Sequence, residues 1–374
     1  MPKFHVVLDT NIYRKNPSRS DLAFQALERL CKAGIMKLHL PYIVEREFQT
    51  QQLAQYKKEL DAAISGLDAI IRKGLSPTAL QSTTAIRESL TAATPSILDD
   101  AVSALTNWAE SLGADRHPIT EKQAIAAMES YFQGKLPLKA PKNRDDIPDS
   151  FIFQTLVHLA GTTKPLVVVA EDEKIAQAAE TLQEVKVFRS LGEFIESPEI
   201  QAEILDLDAS KNVPALAELL KQYEAENNEI SHLLEYKGSD KLVWRKVHSH
   251  SIPDDNHEAT ITGHYNAEDI ELDFEGLHYY GYGEFGLPFR FRTTVTISYY
   301  IFKADYYSLD DKKSPSVSDH NDHYYEAEDE VSVNVSGMMK LSFPPAEMKT
   351  LSAENIEEHI TIEIDSVNEI EMED

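Results

Sequence analysis

Acidic residues stand directly behind two of the most apolar runs in the chain. Val6-Val7-Leu8 leads into Asp9-Thr10-Asn11, and Val167-Val168-Val169-Ala170 leads into Glu171-Asp172-Glu173. Further acids lie at the start of apolar-patterned segments: Glu45 and Glu47 in Pro41-Tyr42-Ile43-Val44-Glu45-Arg46-Glu47-Phe48, and Asp149 before Ser150-Phe151-Ile152-Phe153. Carboxylates gathered at one place repel one another, and a hard dication relieves that repulsion. Mg²⁺ or Mn²⁺ prefers oxygen ligands, retains waters and accepts substrate phosphate beside a few carboxylates. The chemistry open to such a set is hydrolysis of a phosphodiester by activated water, with no side-chain nucleophile required.

Bringing these acids together is a task for the surrounding elements. Lys3–Asp9 (KFHVVLD) reads as a buried strand of a parallel sheet. Residues 21–33 place Leu22, Leu27, Leu30 and Cys31 at helical spacing, with Gly34 as the stop. MKLHLP is a second strand, and a long helix follows from Ile43 to Lys73. Residues 75–135 read as helical segments punctuated by Pro77, Pro95 and Pro118, and 134–149, with three prolines and four basic residues, as an exposed loop. Asp149 stands as an N-cap for a helix running to Gly161. A strand (165–172), a helix, a strand (VKVF) and a short helix (LGEFIE) complete the pattern. Strands alternating with helices predict a parallel sheet covered on both faces, whose strand ends and helix starts share one rim.

The quoted segments VVLDTN (6–11), LPYIVEREF (40–48), DIPDSFIFQTL (146–156) and VVVAEDEKIAQAA (167–179) together resemble the PIN-domain nucleases, in a longer branch than the compact toxin form. The resemblance implies a PIN-like α/β domain over 1–196 and a divalent-metal-dependent endoribonuclease. It assigns the metal-binding acids to Asp9, Glu47, Asp149 and Asp172, sets Asn11 beside the first acid to orient a ligand water or phosphate, and offers Asp146 as a further ligand. It also prefers Glu47 to Glu45 and Asp172 to its flanking glutamates, choices that the phase of Val44 and Phe48 and the strand alternation leave open. Two features depart from compact members. Residues 50–140 imply a helical insertion, and 241–374 lies outside the resemblance.

Charge is distributed unevenly along the 374 residues. The net of −27 comprises 23 basic against 25 acidic residues in 1–196, and 13 against 38 in 197–374. The first part can approach a polyanion; the second repels one. Arg14, Lys15, Arg46, Lys142 and Arg144, with Lys139, flank the acidic motifs and are the candidate contacts for single-stranded RNA. Residues 197–240 read as a helical connector. Beyond Lys241 the hydrophobic period falls to two, as in RFRTTVTISYYIF and EVSVNVSGMMKLSF, and predicts a mainly antiparallel β domain. Its acidity suits a protein partner or intramolecular masking of the nuclease. The aromatic run Tyr279-Tyr280-Gly281-Tyr282 is expected in the β core, and the His248–His257 loop is not read as a zinc site.

Phosphate-binding glycine loops, serine-hydrolase elbows and dinucleotide fingerprints do not occur in the sequence, which argues against those enzyme classes. The single Cys31 and the lack of any apolar run near ~20 residues predict a soluble, cytoplasmic protein, and leave its oligomeric state open, a dimer being one option. The leading expectation is an RNA-directed metal-dependent nuclease with a toxin-like or defence role. The alternatives are a PIN-fold RNA- or protein-binding scaffold with a weak or inactive site, and a DNA-directed nuclease.

Overall fold

The computed structural model describes residues 2–135, 137, 146–208, 213–308, 315–348, 350–352 and 355–373. It divides into two units, 1–197 and 198–374.

Unit 1 runs β1 (Phe4–Leu8), α1 (Thr10–Lys15), α2 (Leu22–Lys32), β2 (Met36–Pro41), α3 (Tyr42–Arg72), α4 (Pro77–Ser111), β3 (Asp115–His117), α5 (Glu121–Gln133), α6 (Ile147–Thr162), β4 (Leu166–Val169), α7 (Glu173–Glu180), β5 (Val185–Phe188) and α8 (Leu191–Glu196). The strands form one parallel sheet in the order β3-β2-β1-β4-β5. β1 and β4 are apolar on both faces because helices cover both: Val6, Val7, Leu8 and Leu166–Val169 are all buried. Strand order reverses at β1, whose chain neighbour β2 lies on one side and β4 on the other. Such a switch point leaves a crevice at the carboxyl ends of the two central strands. Asp9 follows β1 there, and Asp172 follows β4.

Four aromatic side chains fix the helices around this crevice. Tyr13 of α1 is wholly buried, with ring centroids 6.1 Å from Phe24 of α2, 6.0 Å from Phe48 of α3 and 6.0 Å from Trp108 of α4. Each such ring contributes a large apolar area, on the order of 2–3 kcal/mol per side chain, and Trp108 meets Tyr13 and Phe24 edge to face. The cluster clamps α1 against α3 and so sets Asp9 beside the first turns of α3.

Three local expectations are corrected. Residues 75–135 are not wholly helical, since Asp115–His117 pairs in parallel with β2. Three polar residues carry no strand period, and only the exposed sheet edge makes them a strand. Pro95 does not break α4; it lies exposed within a continuous helix packed along α3, where the one lost backbone bond is tolerated. Asp149 is not an N-cap, because α6 starts at Ile147 and the cap position is Asp146.

Unit 2 opens with α9 (Pro198–Leu207), α10 (Val213–Asn227) and α11 (Glu229–Lys237), so the helices read as a connector cluster with the β residues. An eight-stranded sheet follows: β6 (Lys246–His248), β7 (Glu258–His264), β8 (Glu268–Leu272), β9 (His278–Gly281), β10 (Glu284–Phe302), β11 (Ser316–Asp319), β12 (Tyr324–Ser342) and β13 (Thr361–Met372), with two single-turn helices, α12 (Lys303–Tyr306) and α13 (Ile356–His359). All of its pairings are antiparallel. β10 and β12 pair along their full lengths and alternate inward residues such as Phe285, Leu287 and Phe289 with outward polar ones. Tyr279 and Tyr280 are core residues, while Tyr282 is exposed. Much of the acidic excess sits outward, for example at Glu326, Glu328, Asp329 and Glu330. Among the described residues no helix is long and apolar enough to cross a membrane.

Candidate active site

Asp9 occupies the N-cap position of α1 and is only 5% exposed. Its backbone N–H donates to the Val169 carbonyl at 2.9 Å, which ties the end of β1 to the end of β4. Burial raises its carboxyl to about 6; the Thr10 and Asn11 amides oppose the rise, and the charges of Glu47 and Asp172 add to it. Asn11, half-buried, follows in the first turn of α1.

α3 resolves the choice between its two glutamates. Residues two apart on a helix point about 200° apart, so Glu45 and Glu47 cannot serve one site. Glu45 is 2% exposed and holds Arg116 of β3 with bonds of 2.9–3.2 Å, while also accepting from the Thr106 hydroxyl of α4 at 2.5 Å. It pins α3 to α4 and the sheet edge. Glu47 faces α1 and accepts from the Thr10 hydroxyl at 2.8 Å. Burial raises its carboxyl, with Thr10 and Arg14 acting the other way.

The β4–α7 turn separates three consecutive acids in the same manner. Glu171 is exposed and pairs with Lys15 at 2.6 Å; Glu173 is exposed and pairs with Arg189 at 3.0 Å. Asp172 caps α7, its Oδ1 accepting from the backbone N–H groups of Lys174 at 2.8 Å and Ile175 at 3.2 Å. Asp149 stands in the first turn of α6, a helix seated by the buried Ser150 hydroxyl donating to the Ala127 carbonyl at 3.0 Å. Burial first, then the charge of Asp172, with smaller increments from Asp9 and Glu47 and with Lys174 opposing, together lift Asp149 to about 7. Asp9 and Asp149, from separate elements, therefore each feel the charges of Glu47 and Asp172. Asp146 is wholly buried and paired with the Lys174 ammonium, which also lies 4.0 Å from Asp149 Oδ2.

A family model described as PIN domain matches residues 6–175. The N-terminal unit is a PIN domain. The match runs from β1 into α7, so it spans all four acids and also the long helices α3 and α4. PIN domains as a class are nucleases that use divalent metals. Neither the curated proteins nor the solved structures yielded a match to this chain.

The donor set of this PIN domain fits a hard divalent cation: it is all oxygen, and burial with neighbouring negative charge raises Asp9 and Asp149, an effect that a dication would reverse. Among the described residues no three His, Cys, Asp or Glu side chains already stand at coordinating distance, so a cation would have to draw the carboxylates inward.

Arg14 is exposed and acts on Glu47; Lys15 is engaged with Glu171; Arg46 is exposed and donates to Gln49 at 2.8 Å. Lys142 and Arg144, with Lys139, lie outside the described residues.

Sequence reasoning missed Thr10, Arg116 and Lys174. Only Lys174 carries a usable signal, as a basic residue in the first turn after an acidic cap. It also missed a histidine ladder across β1, β2 and β3. His5 Nδ1 lies 2.9 Å from His39 Nε2, and His39 Nδ1 lies 2.8 Å from His117 Nε2. Burial lowers all three imidazoles, His39 to about 4, where its two histidine neighbours add to the effect.

Proposed function

We propose that the PIN domain is an endoribonuclease that hydrolyses phosphodiester bonds of single-stranded RNA with the help of Mg²⁺ or Mn²⁺. The observation that carries this reading is the raising of Asp9 and Asp149 by burial and by the charges of Glu47 and Asp172, four acids contributed by separate elements around the β1/β4 crevice. In this reading Asp9, Glu47, Asp149 and Asp172 hold the cation. A bound divalent ion supplies Lewis acidity, activating water and screening the phosphate. The protein's own part is positional. The Thr10 hydroxyl orients Glu47, the α7 amides hold Asp172 through one oxygen, and Asn11 is placed beside Asp9 to direct a water or a phosphate oxygen. Arg14, Lys15 and Arg46, with Lys142 and Arg144, contribute phosphate contacts along the strand.

The test is a panel of single-stranded RNA, double-stranded RNA and DNA, incubated with Mg²⁺, Mn²⁺ or chelator and with wild type or Asp9→Asn. Cleavage of RNA that needs the metal and Asp9 is the expected outcome. Cleavage that persists through both chelation and Asp9→Asn refutes the mechanism, and preference for DNA refutes the substrate. A second reading, RNA binding without cleavage, is favoured by the Lys174 ammonium standing among the acids; retention of intact RNA under every metal condition would select it.

The acidic second unit is proposed to engage a basic protein partner or to compete with RNA for the basic residues of the first. The motive is the division of charge, −25 beyond residue 196 against −2 before it.

A further inference from the structure

Lys174 touches more of the acid cluster than any residue singled out from the sequence. Its backbone N–H donates to Asp172 Oδ1 at 2.8 Å, its ammonium pairs with Asp146, and the same ammonium lies 4.0 Å from Asp149 Oδ2. Asp146 is entirely buried, and an ionised carboxylate in such a place requires a partner charge. The side chain of Lys174 is 26% exposed, so its ammonium lies between the buried Asp146 and the more accessible Asp149. A dication set between Asp146 and Asp149 would meet a fixed positive charge within a few ångströms, in surroundings where screening is weak.

We propose that Lys174 is a built-in cation that takes the place of a second divalent ion. It removes Asp146 from the ligand set and leaves the centre a single metal position, held by Asp9, Glu47, Asp149 and Asp172. This inference rests on the metal-dependent nuclease reading above and refines it. Asp146, offered by the family resemblance as a further ligand, becomes the counter-ion of a lysine. The arrangement also accounts for how Asp149 is held. It belongs to the repelling set through Asp172, Asp9 and Glu47, yet it is restrained from one side by the ammonium.

The experiment is Mn²⁺ binding to the full-length chain, counted by equilibrium dialysis with the free ion followed by electron paramagnetic resonance. Wild type and Lys174→Arg are expected to bind one ion. Lys174→Gln, whose amide still donates to Asp146 but carries no charge, is expected to bind two. Adding Asp146→Asn to Lys174→Gln is expected to return the count to one. If Lys174→Gln is unfolded without metal, Mn²⁺ should restore its melting transition, and failure to do so overturns the inference. Two equivalent ions in wild type, or one ion in Lys174→Gln, also overturns it while leaving the nuclease reading in place. A wild type that binds no Mn²⁺ removes both.

Discussion

Replacing Asp9 by Asn should stabilise the metal-free protein at neutral pH even as it disables the proposed chemistry. Asp9 is buried, and its carboxyl is raised from 3.8 to about 6. Between those two values the folded state holds a proton that the unfolded state has released. Stability attributable to this group is therefore complete below the unfolded pKa and is lost as pH rises through the folded one. A displacement of about two units corresponds to about 3 kcal/mol, at 1.36 kcal/mol per unit. Asn has the same shape and never ionises, so it escapes this loss. A kilocalorie moves the melting temperature of a domain this size by about 2–4 °C, which sets a ceiling near 10 °C. The side-chain amide accepts from Thr10 and Asn11 less strongly than a carboxylate does, so an increase of a few degrees is expected. The assay is thermal unfolding of wild type and Asp9→Asn in chelator, at about pH 8 and again near pH 4. The variant should melt higher at the alkaline value and match wild type at the acid one. Added Mg²⁺ should raise wild type and leave the variant unmoved. A variant that melts lower than wild type at about pH 8, or a gap that does not change with pH, would refute the claim that burial and neighbouring charge destabilise this carboxylate.

The two glutamates of α3 should separate function from stability. Glu47→Gln is expected to reduce RNA cleavage by orders of magnitude with little change in melting, whereas Glu45→Gln should cost about 1–3 kcal/mol by weakening the hold on Arg116 and Thr106; a kinetic assay beside a denaturant titration decides, and reversed effects would exchange their roles. The histidine ladder predicts acid sensitivity of the opposite sign to that of Asp9. His5, His39 and His117 are held below 6.5, so the unfolded chain gains protons first and stability declines as pH falls from 6.5 toward about 4. In denaturant titrations across that range, His39→Gln should show a shallower decline, and an unchanged slope would exclude the ladder as its source. Residues 1–197 alone should cleave RNA faster than the full chain at low salt, with the difference vanishing at high salt; equal rates at low salt would eliminate the acidic unit as a competitor.

How far the sequence carries depends on whether a residue's role is set locally. Val6–Leu8 and Val167–Val169 are legible as central parallel strands because burial on both faces demands continuous apolar runs, and the acids that end them are legible with them. Asp115–His117 is not, because three polar residues become a strand only through pairing with β2. Pro95 misleads for the converse reason: its local tendency to break a helix is overridden by the packing of α4 along α3. The start of α6 is a smaller case. Asp149 has the residue type of an N-cap, but Pro148 suits the first turn, and the helix begins before both.

The site itself divides along the same line. Sequence alone leaves Glu45 level with Glu47, and Asp172 level with Glu171 and Glu173, because each group presents the same carboxylate at adjacent positions. What distinguishes them is the partner each one meets: Arg116 for Glu45, Lys15 for Glu171, Arg189 for Glu173. Each of those partners is a cation more than fifteen residues away, brought near only by the folded sheet and its helices. The acids that remain, Glu47 and Asp172, take their side-chain hydrogen bonds from a hydroxyl or from backbone amides rather than from a cation. Asp9 belongs with them, favoured by the Thr10 and Asn11 amides. Amides and hydroxyls orient a carboxylate without neutralising it, which keeps its charge for a ligand, whereas an Arg or Lys partner consumes it. By that criterion Asp146, matched to Lys174, sorts with Glu45 and Glu171 rather than with Asp9.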